Sequence, residues 1–122
     1  MAEHLIISGE RRPAASGETF TVTEPATGAV FAEVAKAGPA DVDAALAAAH
    51  RAFADGRGAW ARTNATERGR VLHRVAALIR EREDLLATAE ARGAGHPIGD
   101  ARWEVGAAAA TFEYYAGAAN KH

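Results

Sequence analysis

A chain of 122 residues is long enough for one domain with one hydrophobic core. Fourteen Lys and Arg against sixteen Asp and Glu leave a net charge of -2, which argues against nucleic acid or an anionic membrane surface as the main partner. With no cysteine, the chain contains no disulfide, no thiolate metal ligand and no cysteine nucleophile.

The N-terminal stretch holds an acidic residue, Glu3, and only the short apolar run Leu5-Ile6-Ile7, too short for a signal peptide or a membrane span. Leu5 to Ile7 reads as a strand, Ser8-Gly9-Glu10 as a turn, and Arg11 to Gly17 as a polar loop around Pro13. Thr19 to Glu24 alternates, with Phe20 and Val22 on one face and three threonines on the other. Pro25-Ala26-Thr27-Gly28 is a tight-turn signal, since proline pre-sets one dihedral and glycine permits positive φ. Ala29 to Ala35 resumes as a strand. Residues 1–37 therefore predict a three-stranded antiparallel meander.

Residues 38–122 predict three helices. Pro39 suits a first helical turn, and Asp41 and Asp43 favour the positive end of its dipole. Val42, Ala45, Leu46, Ala49 and Phe53 give that helix an apolar stripe; Gly56 and Gly58 end it, and Trp60 follows in a loop. The second helix is the longest clean pattern in the chain, from Asn64 to Gly95. Its stripe is Val71, Leu72, Val75, Leu78, Ile79, Leu85, Leu86 and Ala89. Asn64 is placed as its N-cap with Glu67 three residues on, a capping box, and Gly93 or Gly95 before Pro97 marks its end. Arg82 falls inside the stripe by helical angle: either its stem packs while its head reaches solvent, or it forms a buried ion pair.

The third helix spans about Ile98 to Ala119 and is apolar on two sides. One stripe is Ile98, Ala101, Val105, Ala108, Phe112, Tyr115 and Ala119; the other is Trp103, Ala107, Ala110 and Tyr114. Nothing in this chain supplies an obvious cover for the second stripe. The fold class is thus α/β, a meander followed by three helices, and incomplete.

The sequence offers no catalytic constellation. Gly93-Ala94-Gly95-His96-Pro97-Ile98-Gly99 fails as a dinucleotide fingerprint, because its last glycine is one position late and it follows a helix rather than a strand. It reads as a helix stop and a helix start. Glu81, Glu83 and Asp84 read as a solvated face with local ion pairs. His73 has no nucleophile to serve, and Ser8 and Ser16 are turn or loop residues. The histidines His4, His50, His73, His96 and His122 do not pair at ligand spacing, so no metal site is expected.

The order of motifs is more informative than any one of them. It runs Leu5-Ile6-Ile7-Ser8-Gly9-Glu10, Thr19 to Gly28, Val34, Asp41 to Ala45 with Ala48 to Phe53, and Trp60. It continues with Glu67 to Leu72, Glu90 with Gly95-His96-Pro97, and Tyr114-Tyr115-Ala116-Gly117. This series resembles the N-terminal portion of the NAD(P)-dependent aldehyde dehydrogenase superfamily, across essentially the whole chain. The resemblance implies a subunit that oxidises an aldehyde to a carboxylic acid through a cysteine thiohemiacetal, with NAD or NADP on a Rossmann-like sheet. Those elements follow this stretch in the family, so no catalytic or cofactor-binding residue is expected here and the chain alone is expected to be inactive. The segment would form the outer part of the cofactor-binding domain.

Further expectations follow from the resemblance. The family's Gly-Lys-Pro is here Gly95-His96-Pro97, and the carboxylate that some members place at a monovalent-cation site falls on Gly93, so that site is not expected. Aligned on Tyr114-Tyr115-Ala116-Gly117, the positions lining the mouth of the aldehyde tunnel are Trp103 and Ala107. The expected partner is the remainder of the subunit or a complementary chain, in a cytoplasmic, oligomeric enzyme. The alternative is a noncatalytic helical module that binds a partner through Trp103, Ala107, Ala110 and Tyr114.

Overall fold

The computed structural model describes residues 3–121, apart from the side chain of Asp55. His122 lies outside the described residues. The chain forms two compact units, Met1–Arg62 and Thr63–His122.

The first unit begins with four short strands: β1 Leu5–Ile7, β2 Glu10–Arg12, β3 Thr19–Thr23 and β4 Val30–Ala35. They form two separate antiparallel pairs, β1 with β2 and β3 with β4. The expected three-stranded meander is thus corrected to two hairpins. The missed strand is Glu10-Arg11-Arg12, whose exposed charged side chains carry no alternating apolar signal. Its register, Ile7 opposite Glu10, is set by the two-residue turn Ser8-Gly9. Both turn residues have positive φ, 56° and 79°, the twist that suits a tight hairpin.

Helix α1 spans Pro39–Phe53, with proline in its first turn as expected. Asp41 does more than face the dipole. Its carboxylate is 2% exposed and accepts the Ala15 N–H (3.0 Å to Oδ1) and the Gly38 N–H (3.0 Å to Oδ2). One buried acid therefore ties the 13–17 loop to the start of the helix, and its own desolvation is offset by these charge-assisted bonds. The helix ends one turn earlier than its glycines suggest, at Ala54 in the left-handed conformation, followed by a 3₁₀ turn at Ala54–Gly56. Trp60 then sits in a short helix, α2 (Ala59–Arg62), rather than in a loop.

The second unit is helical. The expected long helix is two: α3, Ala65–Glu81, and α4, Glu83–Ala94. The break is at Arg82 (φ -114°, ψ 22°), within Arg80-Glu81-Arg82-Glu83-Asp84, a run with no apolar side chain to hold a straight axis against a partner. Both α3 and α4 pack on α5, Ile98–Ala118. A straight helix of some thirty residues would be about 45 Å long against about 32 Å for α5. The break lets both arms reach α5. Arg82 is exposed, so the buried ion pair is overturned.

Both predicted ends of this pair hold. Asn64 Oδ1 accepts the Glu67 N–H at 2.9 Å, and Glu67 Oε2 accepts the Asn64 N–H at 3.3 Å, a complete capping box. Gly95, with φ 78°, closes α4.

The core differs in character from the sequence stripes. The fully buried positions of the helical unit are alanines: Ala76, Ala87, Ala101 and Ala109. Leu85 lies largely in solvent and Leu86 partly so. The helices come close at Gly69 on α3, where a Cβ would stand 2.8 Å from the carbonyl oxygen of Ala116 on α5. Gly106, inside α5, has nothing within 4 Å of a Cβ.

These two helical glycines should respond oppositely to alanine. Gly106→Ala should stabilise by about 0.5–1 kcal/mol through helix propensity. Gly69→Ala should destabilise by about 1–3 kcal/mol, because the clash outweighs that gain. Urea melts of the two variants check the sign of each.

Candidate functional site

On α5 the packed line runs through Ala101, Ala109 and Ala116. It is rotated from the expected first stripe toward the smallest side chains, which leaves Phe112 and Tyr115 partly in solvent. The opposite stripe is as uncovered as its sequence suggests. Trp103 is 74% exposed and Tyr114 72%, Ala110 is exposed, and Ala107 is half-buried. Tyr114 meets Tyr115 edge-on, with ring centroids 5.3 Å apart. The stripe is thus a strip of aromatic surface with small residues between its two large rings, a kind of patch that monomeric proteins rarely leave open.

Two ion pairs brace the helices around α5. Arg80 on α3 grips Glu113 through two bonds, Nε to Oε1 at 3.1 Å and Nη2 to Oε2 at 2.8 Å. Arg102 on α5 donates to Asp84 on α4 at 3.1 Å. Asp84 is the exposed surface residue the sequence implied, but its ion pair reaches to another helix rather than staying local. The Arg80 hydrogen bonds, and secondarily its charge, hold the Glu113 carboxyl below the usual carboxylate range; the same contact raises the Arg80 guanidinium further.

The structure also joins residues that sequence spacing does not single out. Glu90 on α4, His96 in the link between α4 and α5, and Glu104 on α5 bring one ligand atom each to within 4.8 Å of one another. Six and eight residues separate them along the chain, and only the turn at Gly95 folds them together. An acid six residues before a histidine is a weak signal unless the helix stop at Gly95 between them is taken into account. Beside this cluster runs an apolar groove of about 510 Å³ lined by Ile79, Leu86, Val105 and Ala108, with Glu90 and Glu104 on its wall. His73 is exposed, and Ser8 serves the hairpin turn. The glycines from 93 to 99 end one helix and begin another, as expected. No helix among the described residues is long and apolar enough to cross a membrane.

The sequence pattern of the aldehyde dehydrogenase family matches residues 12–122. The chain belongs to that family. It is similar in structure to PnpE from Pseudomonas sp. WBC-3, with 42% identity and a TM-score of 0.91 over 99% of this chain and 24% of PnpE. A structure of PnpE in complex with nicotinamide adenine dinucleotide matches at 41% identity and a TM-score of 0.92, over all of this chain and 24% of that one. The NAD-dependent aldehyde dehydrogenase from Sinorhizobium meliloti matches at 36% identity and 0.90, over 96% of this chain and 23% of its own. The chain thus spans about a quarter of the length of these solved family members. It corresponds to the N-terminal portion of the family fold, and short antiparallel strands followed by helices are what that portion contains.

Acid should loosen the helical unit at Glu113. Its folded-state pKa is depressed, so its contribution is present above the unfolded-state value and is lost as pH falls through the folded value. As pH falls through the carboxylate range, the urea midpoint of the wild type should fall more steeply than that of Glu113→Gln, which has no carboxylate to protonate.

Proposed function

We propose that residues 1–122 are the opening segment of an NAD(P)-dependent aldehyde dehydrogenase subunit, with its strands in 1–37 and its helices in 38–122. The complete subunit oxidises a small aldehyde to the carboxylic acid. The nucleophilic cysteine and the cofactor fold are supplied by the remainder of the subunit, the principal partner of this segment. NAD or NADP is the cofactor of the complete enzyme, and this segment contributes no catalytic or cofactor-binding group. Cytoplasmic location and assembly into an oligomer belong to the same reading and rest on the family resemblance.

Within that subunit, Trp103 and Ala107 border the entrance to the aldehyde site. The observation that carries this role is the uncovered strip on α5: a large indole 74% exposed, with a half-buried alanine one turn on. A rigid aromatic beside a small side chain is suited to sorting apolar substrates by size. The same strip, if it bound a separate protein, would make the segment a noncatalytic interaction module.

Trp103→Ala in the complete enzyme distinguishes the two. At the entrance, it should change kcat/KM for an apolar aldehyde by at least about tenfold, while the KM for the nicotinamide cofactor stays unchanged. Equal kinetics toward small and bulky aldehydes in both proteins would remove Trp103 from the substrate path.

A further inference from the structure

We propose that Glu90, His96 and Glu104 form a divalent-cation site that clasps α4 to α5 beside the apolar groove. The donors are one imidazole nitrogen and two carboxylates, a set that suits zinc, cobalt or manganese rather than a soft thiophilic ion. Their charge, -2 with the imidazole neutral, matches that of the ion.

The geometry is close to what such an ion requires. Two ligand atoms on one tetrahedral zinc, with bonds of about 2.0–2.1 Å, stand about 3.3 Å apart. His96 Nδ1 and Glu104 Oε2 stand 3.2 Å apart. The third ligand atom, on Glu90, lies within 4.8 Å of both, and its exposed side chain can close the difference by a rotamer change.

The two carboxylates are also unequally served. Glu104 has His96 as its partner. Glu90 has no hydrogen bond or ion pair among the described residues, although it shares the apolar groove wall with Glu104. The three donors come from α4, the link and α5, so one ion would cross-brace both helices and the turn between them. Three protein ligands leave a fourth position open to water or to a ligand lying in the groove.

The site does not use Gly93, the position to which the family resemblance assigns the carboxylate of a monovalent-cation site. It also does not depend on the aldehyde chemistry. Its test is therefore binding rather than turnover. Zinc chloride is titrated calorimetrically into the full-length protein and into its His96→Ala and Glu90→Gln variants, with cobalt(II) absorption recorded in parallel. Far-UV circular dichroism confirms that each variant is folded. The wild type should bind one equivalent that both variants lose or bind at least about tenfold more weakly, and its cobalt spectrum should show nitrogen and oxygen ligation at that equivalent. If His96→Ala does not fold, Glu90→Gln carries the test, since its neutral isostere removes only a ligand charge. Identical isotherms in wild type and Glu90→Gln, or no binding by the wild type, would overturn the proposal.

Discussion

The helical unit depends on how closely α3 can approach α5. At Gly69 there is no space for even one methyl group, and the fully buried positions of the unit are alanines. Small residues let two backbones come within dispersion range over a long seam. This packing buries little apolar area per side chain. The larger side chains that would ordinarily anchor such a unit, Leu85, Leu86, Trp103, Phe112 and Tyr115, point partly or mainly to solvent. Polar clasps, Arg80 with Glu113 and Arg102 with Asp84, reinforce the seam from outside. Such exposed pairs contribute little individually, so the seam itself sets the geometry.

The strand-bearing unit shows the same imbalance. Val42, Leu46 and Phe53 on α1 are all more than half exposed, and the only buried charged side chain among the described residues is Asp41. Order there comes from a carboxylate holding two backbone N–H groups, more than from a core of large residues. Large apolar faces without cover on both units are what a quarter of a subunit would carry, and the chain spans about that share of its solved relatives. On the proposed function, the uncovered surfaces are the faces offered to the remainder of the subunit.

The elements that were legible in the sequence are those fixed by local chemistry. The capping box at Asn64 and Glu67, the glycine stop at Gly95 and proline at the start of α1 all depend on a few adjacent residues. The second apolar stripe of α5 was legible for the same reason, since its four residues share one helical face. What escaped was set by tertiary packing. The break at Arg82 and the rotation of the α5 seam toward alanine reflect how close α3, α4 and α5 come, which hydrophobic periodicity does not encode. The strand at Glu10–Arg12 escaped because its side chains are all exposed, and the Glu90, His96 and Glu104 cluster because a turn, not a repeat, brings it together.

The central claim is that the Trp103 face of α5 is open in this segment and covered in the complete subunit. Acrylamide quenching of tryptophan fluorescence tests it directly, with Trp60→Phe as background and the other tryptophans of the complete subunit replaced in the same way. Trp103 should be quenched freely in the 122-residue chain and measurably less in the complete protein, where only the substrate entrance leaves it open. Equal quenching in both would contradict the account.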